Sequence, residues 1–176
     1  MKKTSLIIAF FLTSLMTHAS VTRTILEISK TIHSKNVLHY QVQVDKSSCH
    51  FLSGISANWK MDEEDGRWKP LSESMRMIKK PLTPKIISQR SDEIIFETHS
   101  MNDLVRKSLI DEAQVRVRIL KGKNDKCETQ TIGLIHGQMV NVERLHSKVT
   151  FWGKIKWLEV IGTTLDGKKY DKKFEN

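Results

Sequence analysis

The sequence contains no G-x-S-x-G elbow, no H-E-x-x-H helix, no Walker phosphate loop and no dinucleotide-binding fingerprint. The enzyme classes built on those spacings therefore lose their usual signature. Cysteine is nearly absent, with only Cys49 and Cys127 in 176 residues, and their wide separation excludes a C-x-x-C arrangement. Histidines are present but scattered: beyond His18, the residues His33, His39, His50, His99, His136 and His146 share no ligand spacing. No metal set, cofactor or catalytic group is expected from them. After the first twenty residues no apolar run approaches the roughly 20 residues a membrane-spanning helix needs, so no transmembrane segment is expected.

The N-terminus has what the remainder lacks. Lys2 and Lys3 precede an apolar run from Leu6 to Met16, and small residues follow at Thr17, Ala19 and Ser20. This is the pattern of a bacterial-type signal peptide, with cleavage expected after Ala19. No cysteine directly follows that point, so an acyl-anchored lipoprotein is not expected. Residues 1–19 are thus expected to leave, and residues 20–176 to form one domain with room for a hydrophobic core. The expected location is periplasmic or secreted.

Export changes how the other residues read. In an oxidising compartment the even cysteine count predicts a structural disulfide between Cys49 and Cys127. The competing reading is a pair of buried thiols or a redox pair, and a free Cys127 activated by His136 is a further arrangement that the bond would abolish. The formal charge falls from +9 to +7, because only Lys2 and Lys3 leave with the signal. Outside the cytoplasm nucleic acid is not the expected partner of a basic protein. An anionic lipid headgroup, a glycan or an acidic protein is.

Along the chain, strand patterns and turns dominate. Leu26 and Ile28 alternate with Glu27 and Ser29, and Leu38, Tyr40, Val42 and Val44 share one face opposite His39, Gln41 and Gln43, which predicts a hairpin. Ile55, Ala57, Trp59 and Met61 predict a third strand. It ends in an acidic turn, Asp62 to Gly66, that lacks the ligand spacing of a calcium loop. Leu71, Met75 and Ile78 at helical spacing before Pro81 predict the one short helix. Strands follow over 85–89 and 93–98, whereas 102–111 fits neither period and reads as loop or a single helical turn. Val115, Val117 and Ile119 alternate with Arg116 and Arg118, and 129–136 with 139–145 flank Gly137 as a further hairpin. In the last segment Phe151, Ile155, Trp157 and Ile161 are placed on a buried face opposite Lys154 and Lys156. Asp166-Gly167 predicts a type I′ turn returning through Tyr170. The expected fold is all-β, an antiparallel barrel or sandwich of about eight strands with one short helix. Tyr40, Trp59, Val117 and Trp157 are expected in its core.

The order TILEISK, NVLHYQVQV, ISANWKM with its acidic turn, KPLSES and a closing IKWLEVIGTTLDGKK resembles an uncharacterised family of small exported bacterial proteins, known only as a domain of unknown function. The similarity covers Thr24 to about Lys169. Where members of that family often have an aromatic-Gly pair after the helix, this chain has Lys80-Pro81-Leu82. The resemblance implies a fold and an envelope location and carries no activity.

What remains is a surface reading. Arg116, Arg118, Lys154 and Lys156 lie opposite apolar faces and would form one anion-binding face if their strands were neighbours, with Lys168, Lys169 and Trp152 nearby. Two functions follow. One is a non-enzymatic envelope protein that binds an anionic component; the other is a hydrolase whose site is gathered from residues distant in sequence. A filled interior without a convergent polar pocket favours the first, and a cleft that joins a histidine to a carboxylate favours the second.

Overall fold

The computed structural model describes residues 19–29, 35–60, 67–70, 82–122, 124, 126–149 and 155–175. The strands are β1 (Ser20–Ser29), β2 (Val37–Asp45), β3 (Ser56–Lys60), β4 (Lys69–Pro70), β5 (Lys85–Gln89) and β6 (Glu93–Glu97). Helix α1 (His99–Arg106) follows, and then β7 (Val115–Lys121), β8 (Cys127–Ile135), β9 (Gln138–Val149), β10 (Ile155–Thr164) and β11 (Lys169–Glu175). These eleven strands form one curled, mixed sheet, a half-barrel. The all-β class holds, with more strands than eight and with one parallel pairing where an antiparallel sheet was expected.

That parallel pairing organises the molecule. β9 pairs with β10 from Val140 to Val149, which occupies one edge of β9. Its other edge is divided. β8 takes Gln138 to Asn141 antiparallel, and β1 takes Arg144 to His146 parallel through Glu27, Ile28 and Ser29. β1 and β8 therefore separate from β9 in a fork whose vertex lies at Val142 and Glu143. Glu143 is the residue skipped where the β9–β10 register shifts, between the pairs Gly162↔Val142 and Ile161↔Arg144. Only glycine fits at position 162, because a Cβ there would lie 2.0 Å from the Asn141 carbonyl oxygen.

The concave side holds the core. In the β1–β2 hairpin Leu26 faces Tyr40 and Ile28 faces Leu38, while Glu27 and His39 point outward as the alternation requires. A register shift at Ile25 lets both Ile25 and Leu26 be buried. The sheet curls until Tyr40 of β2 meets Phe96 of β6, ring centroids 5.6 Å apart. The Tyr40 hydroxyl donates to the Leu82 carbonyl at 2.6 Å. Helix α1 lies on this concave side. Thr98 caps it by accepting from the Met101 amide, and Met101 and Leu104 are buried. Between Leu26, Met101, Leu104, Val115, Ile135, Val142 and Leu145 a void of about 20 Å³ remains, too small for a ligand. Cys49 and Cys127 form a disulfide with Cα atoms 5.3 Å apart, tying the loop after β2 to the start of β8.

Three expectations are corrected. Trp157 is not in the core: Leu158 and Val160 are buried, and Trp157 lies half-buried on the convex face with the Lys173 ammonium 5.1 Å from its ring. The cause is the register shift between Ile155 and Trp157, which takes Lys156 out of the ladder and starts the inward phase at Leu158. Tyr40 and Val117 are buried as expected, and Trp59 packs against the core from its edge. Segment 102–111, expected as loop or a single helical turn, is helical in its first half, and the helix is longer than one turn because α1 already begins at His99. Lastly, the two-residue turn with both φ positive is His136-Gly137, at 47° and 73°. At Asp166-Gly167 only Gly167 has positive φ, and the Thr164 amide bonds to the Lys168 carbonyl around a three-residue loop. The helix expected over 71–80 and the acidic turn 62–66 lie outside the described residues. No helix among the described residues is long and apolar enough to cross a membrane.

Candidate functional site: a cleft at the strand fork

Below the fork, β1 and β8 run beside each other without pairing, and the gap between them is a polar groove of about 350 Å³. Thr24, Ile25 and Glu27 form one wall, Thr129 and Thr131 the other, and Asn141 to Arg144 the vertex, with His39 reaching in from β2. Strand pairing sets this geometry. On the convex face Glu27 is the cross-strand neighbour of His39 on one side and of Arg144 on the other, so three residues from distant parts of the chain form one row.

Contacts within the row are direct. His39 Nε2 is 3.2 Å from Glu27 Oε2, and Arg144 Nε is 3.7 Å from Glu27 Oε1. One carboxylate thus serves an imidazole and a guanidinium. The indole of Trp68 stacks on His39 at 4.2 Å and is itself 46 % exposed. Where β8 leaves β9, side chains replace the lost ladder: Asn141 Oδ1 accepts from the Thr131 amide at 2.8 Å, and the Thr131 hydroxyl donates to the Ile25 carbonyl across the cleft. On the adjoining wall Asn58 donates to Gln41 at 2.8 Å, and Gln41 to Thr24 Oγ1 at 3.3 Å.

A second histidine–carboxylate pair lies one row further along. His146 is 3 % exposed, its Nδ1 is 2.9 Å from Glu159 Oε2, and its buried Nε2 has no hydrogen-bond partner among the described residues. Among the described residues no hydroxyl or thiol forms a hydrogen bond with His39 or His146. Cys127 is spent in the disulfide, which removes it as a nucleophile for His136, whose ring instead stacks on Phe174 at 4.4 Å.

The basic residues singled out in the sequence are distributed differently. Arg116 and Arg118 both face Glu93, with Nε atoms at 3.5 and 2.8 Å from Oε2. The hydrogen bond from Arg118, with the charges of Arg116, Arg118 and Arg90, holds the Glu93 carboxyl below its ordinary range against a smaller opposing effect of desolvation. Lys156 is exposed on β10, and β8 and β9 lie between that strand and β7, so the two are not neighbours. Lys154 lies outside the described residues. Sequence reading placed Glu27 and His39 on outer faces but did not join them to Arg144, because nothing local announces a parallel pairing between segments more than a hundred residues apart. Comparison of the chain with family models, with curated proteins and with solved structures returns no match.

Proposed function

We propose that the protein is an exported, non-enzymatic envelope module that binds a glycan in the cleft between β1 and β8. The observation that carries this reading is the chemistry of the lining. Three threonines, an asparagine, two carboxylates, an imidazole and a guanidinium surround a groove of about 350 Å³ at the lower end of the size range of small-molecule sites. Vicinal sugar hydroxyls both donate and accept, and a mixed set of this kind satisfies them where a purely basic site would not. The exposed indole of Trp68, stacked on the groove residue His39, offers an aromatic surface of the kind that suits the apolar face of a pyranose ring.

Joining a histidine to a carboxylate is the feature that a hydrolase would need. Binding is the better account because the Glu27 carboxylate is already shared between His39 and Arg144, and no hydroxyl or thiol among the described residues is hydrogen-bonded to that imidazole. The mature net charge of +7 then acts as long-range attraction towards a polyanionic envelope. Calorimetry with a panel of neutral tetrasaccharides tests the reading. Binding to at least one of them should weaken about tenfold or more in Arg144→Gln. No binding across the panel, or identical affinity in the variant, would remove the cleft as a glycan site.

A further inference from the structure

The cleft continues past Thr129. That residue also lines a second, open depression of about 410 Å³, with Arg23, Lys126, Cys127 and Glu128, so the two hollows adjoin at Thr129. At this outer end the charge changes. An Arg23 Nη2 donates to the Cys127 carbonyl at 3.2 Å, which pins the guanidinium of β1 against the β8 wall. A carbonyl is a neutral partner, so it fixes the cation in place without cancelling its charge.

Lys126 is exposed beside it and has no ion-pair partner among the described residues. Among the described residues the one acidic group lining this end is Glu128. Its carboxyl lies over Gly122: a Cβ on that glycine would be 2.8 Å from Glu128 Cδ and Oε1. Gly122 belongs to the β7–β8 connection, so the carboxylate is drawn to the side of β8 away from β1. Two cations thus line the channel mouth, and the one carboxylate lining it among the described residues leans towards Gly122.

We infer that the mouth receives an anionic substituent, a carboxylate or a phosphate, carried by the ligand whose hydroxyls occupy the fork. This rests on the glycan reading of the inner cleft and adds a charge requirement to it. A pinned arginine offers a planar set of donors to such an anion, and the lysine supplies a second, mobile charge. The ligand is then an acidic glycan threaded along the channel, with its neutral face at Thr24, Thr131 and Asn141 and its anion at Arg23 and Lys126.

Calorimetric titration at low and moderate salt with three probes tests this: a galacturonate tetramer, its neutral methyl ester, and a neutral mannose tetramer carrying one terminal 6-phosphate. The wild-type protein should bind one or both anionic probes about tenfold more tightly than the ester, and the preference should shrink as salt rises. The two anionic arms separate carboxylate from phosphate. Arg23→Gln/Lys126→Gln should erase the preference and leave the ester within about twofold of wild type. Lys126→Gln alone, at an exposed side chain with no hydrogen bond to another described residue, should remove part of it and guards against misfolding of the double variant. Ester binding with no anionic preference, or a preference that survives the double variant, overturns the inference and spares the inner site. An anionic probe that binds while the ester does not supports the mouth and overturns the part of the reading that gives the inner cleft its own affinity for neutral sugar hydroxyls; if no probe binds, both fall.

Discussion

The hydroxyl of Thr131 donates to the carbonyl oxygen of Ile25, bridging two strands that lie side by side without a ladder between them. The bond is buried, and it closes the cleft floor where β1 and β8 turn away from β9. Thr131→Val keeps the shape and removes the donor, leaving the carbonyl unpaired. A stability loss of about 1–3 kcal/mol in urea unfolding is expected. A change below about 0.5 kcal/mol would mean that water replaces the hydroxyl and that the bridge does not hold the fork.

The convex and concave faces of β10 make a sharper comparison. Leu158→Ala removes a fully buried side chain and should cost about 2–5 kcal/mol. Trp157→Ala, one residue away, loses a half-buried ring and one contact with Lys173, and should cost about 1 kcal/mol. The opposite ranking would place the bulge at Lys156 elsewhere.

This pair also shows how far the sequence could be read. Alternation located almost every strand, because most of them, such as β2, β6 and β7, lay one face on a single core, and the cysteines announced their bond through count and compartment. Alternation cannot show where a strand skips a residue, so Trp157 was assigned to the wrong side of a strand that is apolar on both. Helix α1 was blurred for a related reason. Its cap, Thr98, follows directly on strand β6, and Met101 and Leu104 alone give too little period to separate a short helix from a loop. The row His39, Glu27 and Arg144 depends on non-local pairing, for which there is no local signal at all.

The disulfide joins residues 78 positions apart, and closing so long a loop removes entropy from the unfolded chain. Replacing both cysteines by serine should lower stability by about 4 kcal/mol if the chain-entropy contribution is fully realised. Alkylation of the denatured protein, made in an oxidising compartment, should label no thiol before reduction and two after it. Labelling before reduction would contradict the bond.

At alkaline pH the buried tyrosines should limit stability. Desolvation raises the Tyr40 phenol well above its ordinary value, and burial, assisted by Asp111, raises Tyr170 as well. The unfolded chain gives up these protons near pH 10 and the folded one keeps them, so their contribution is complete below about pH 10 and is lost as pH climbs towards the folded values. Tyr40→Phe should cost about 1 kcal/mol at neutral pH, through the bond to Leu82, and flatten the alkaline decline. An unchanged decline would assign it to other groups.

The central claim is that the fork between β1 and β8 is where this protein holds its ligand. The most direct measurement is an amide chemical-shift titration of the ¹⁵N-labelled mature protein with the tetrasaccharide that binds best. Perturbations should concentrate at Thr24 to Glu27, Thr129 to Thr131 and Asn141 to Arg144, with the indole of Trp68 shifting in parallel. Shifts centred on Lys148, Trp157 and Lys173 at the β9–β11 edge, or no shift at saturating sugar, would contradict it.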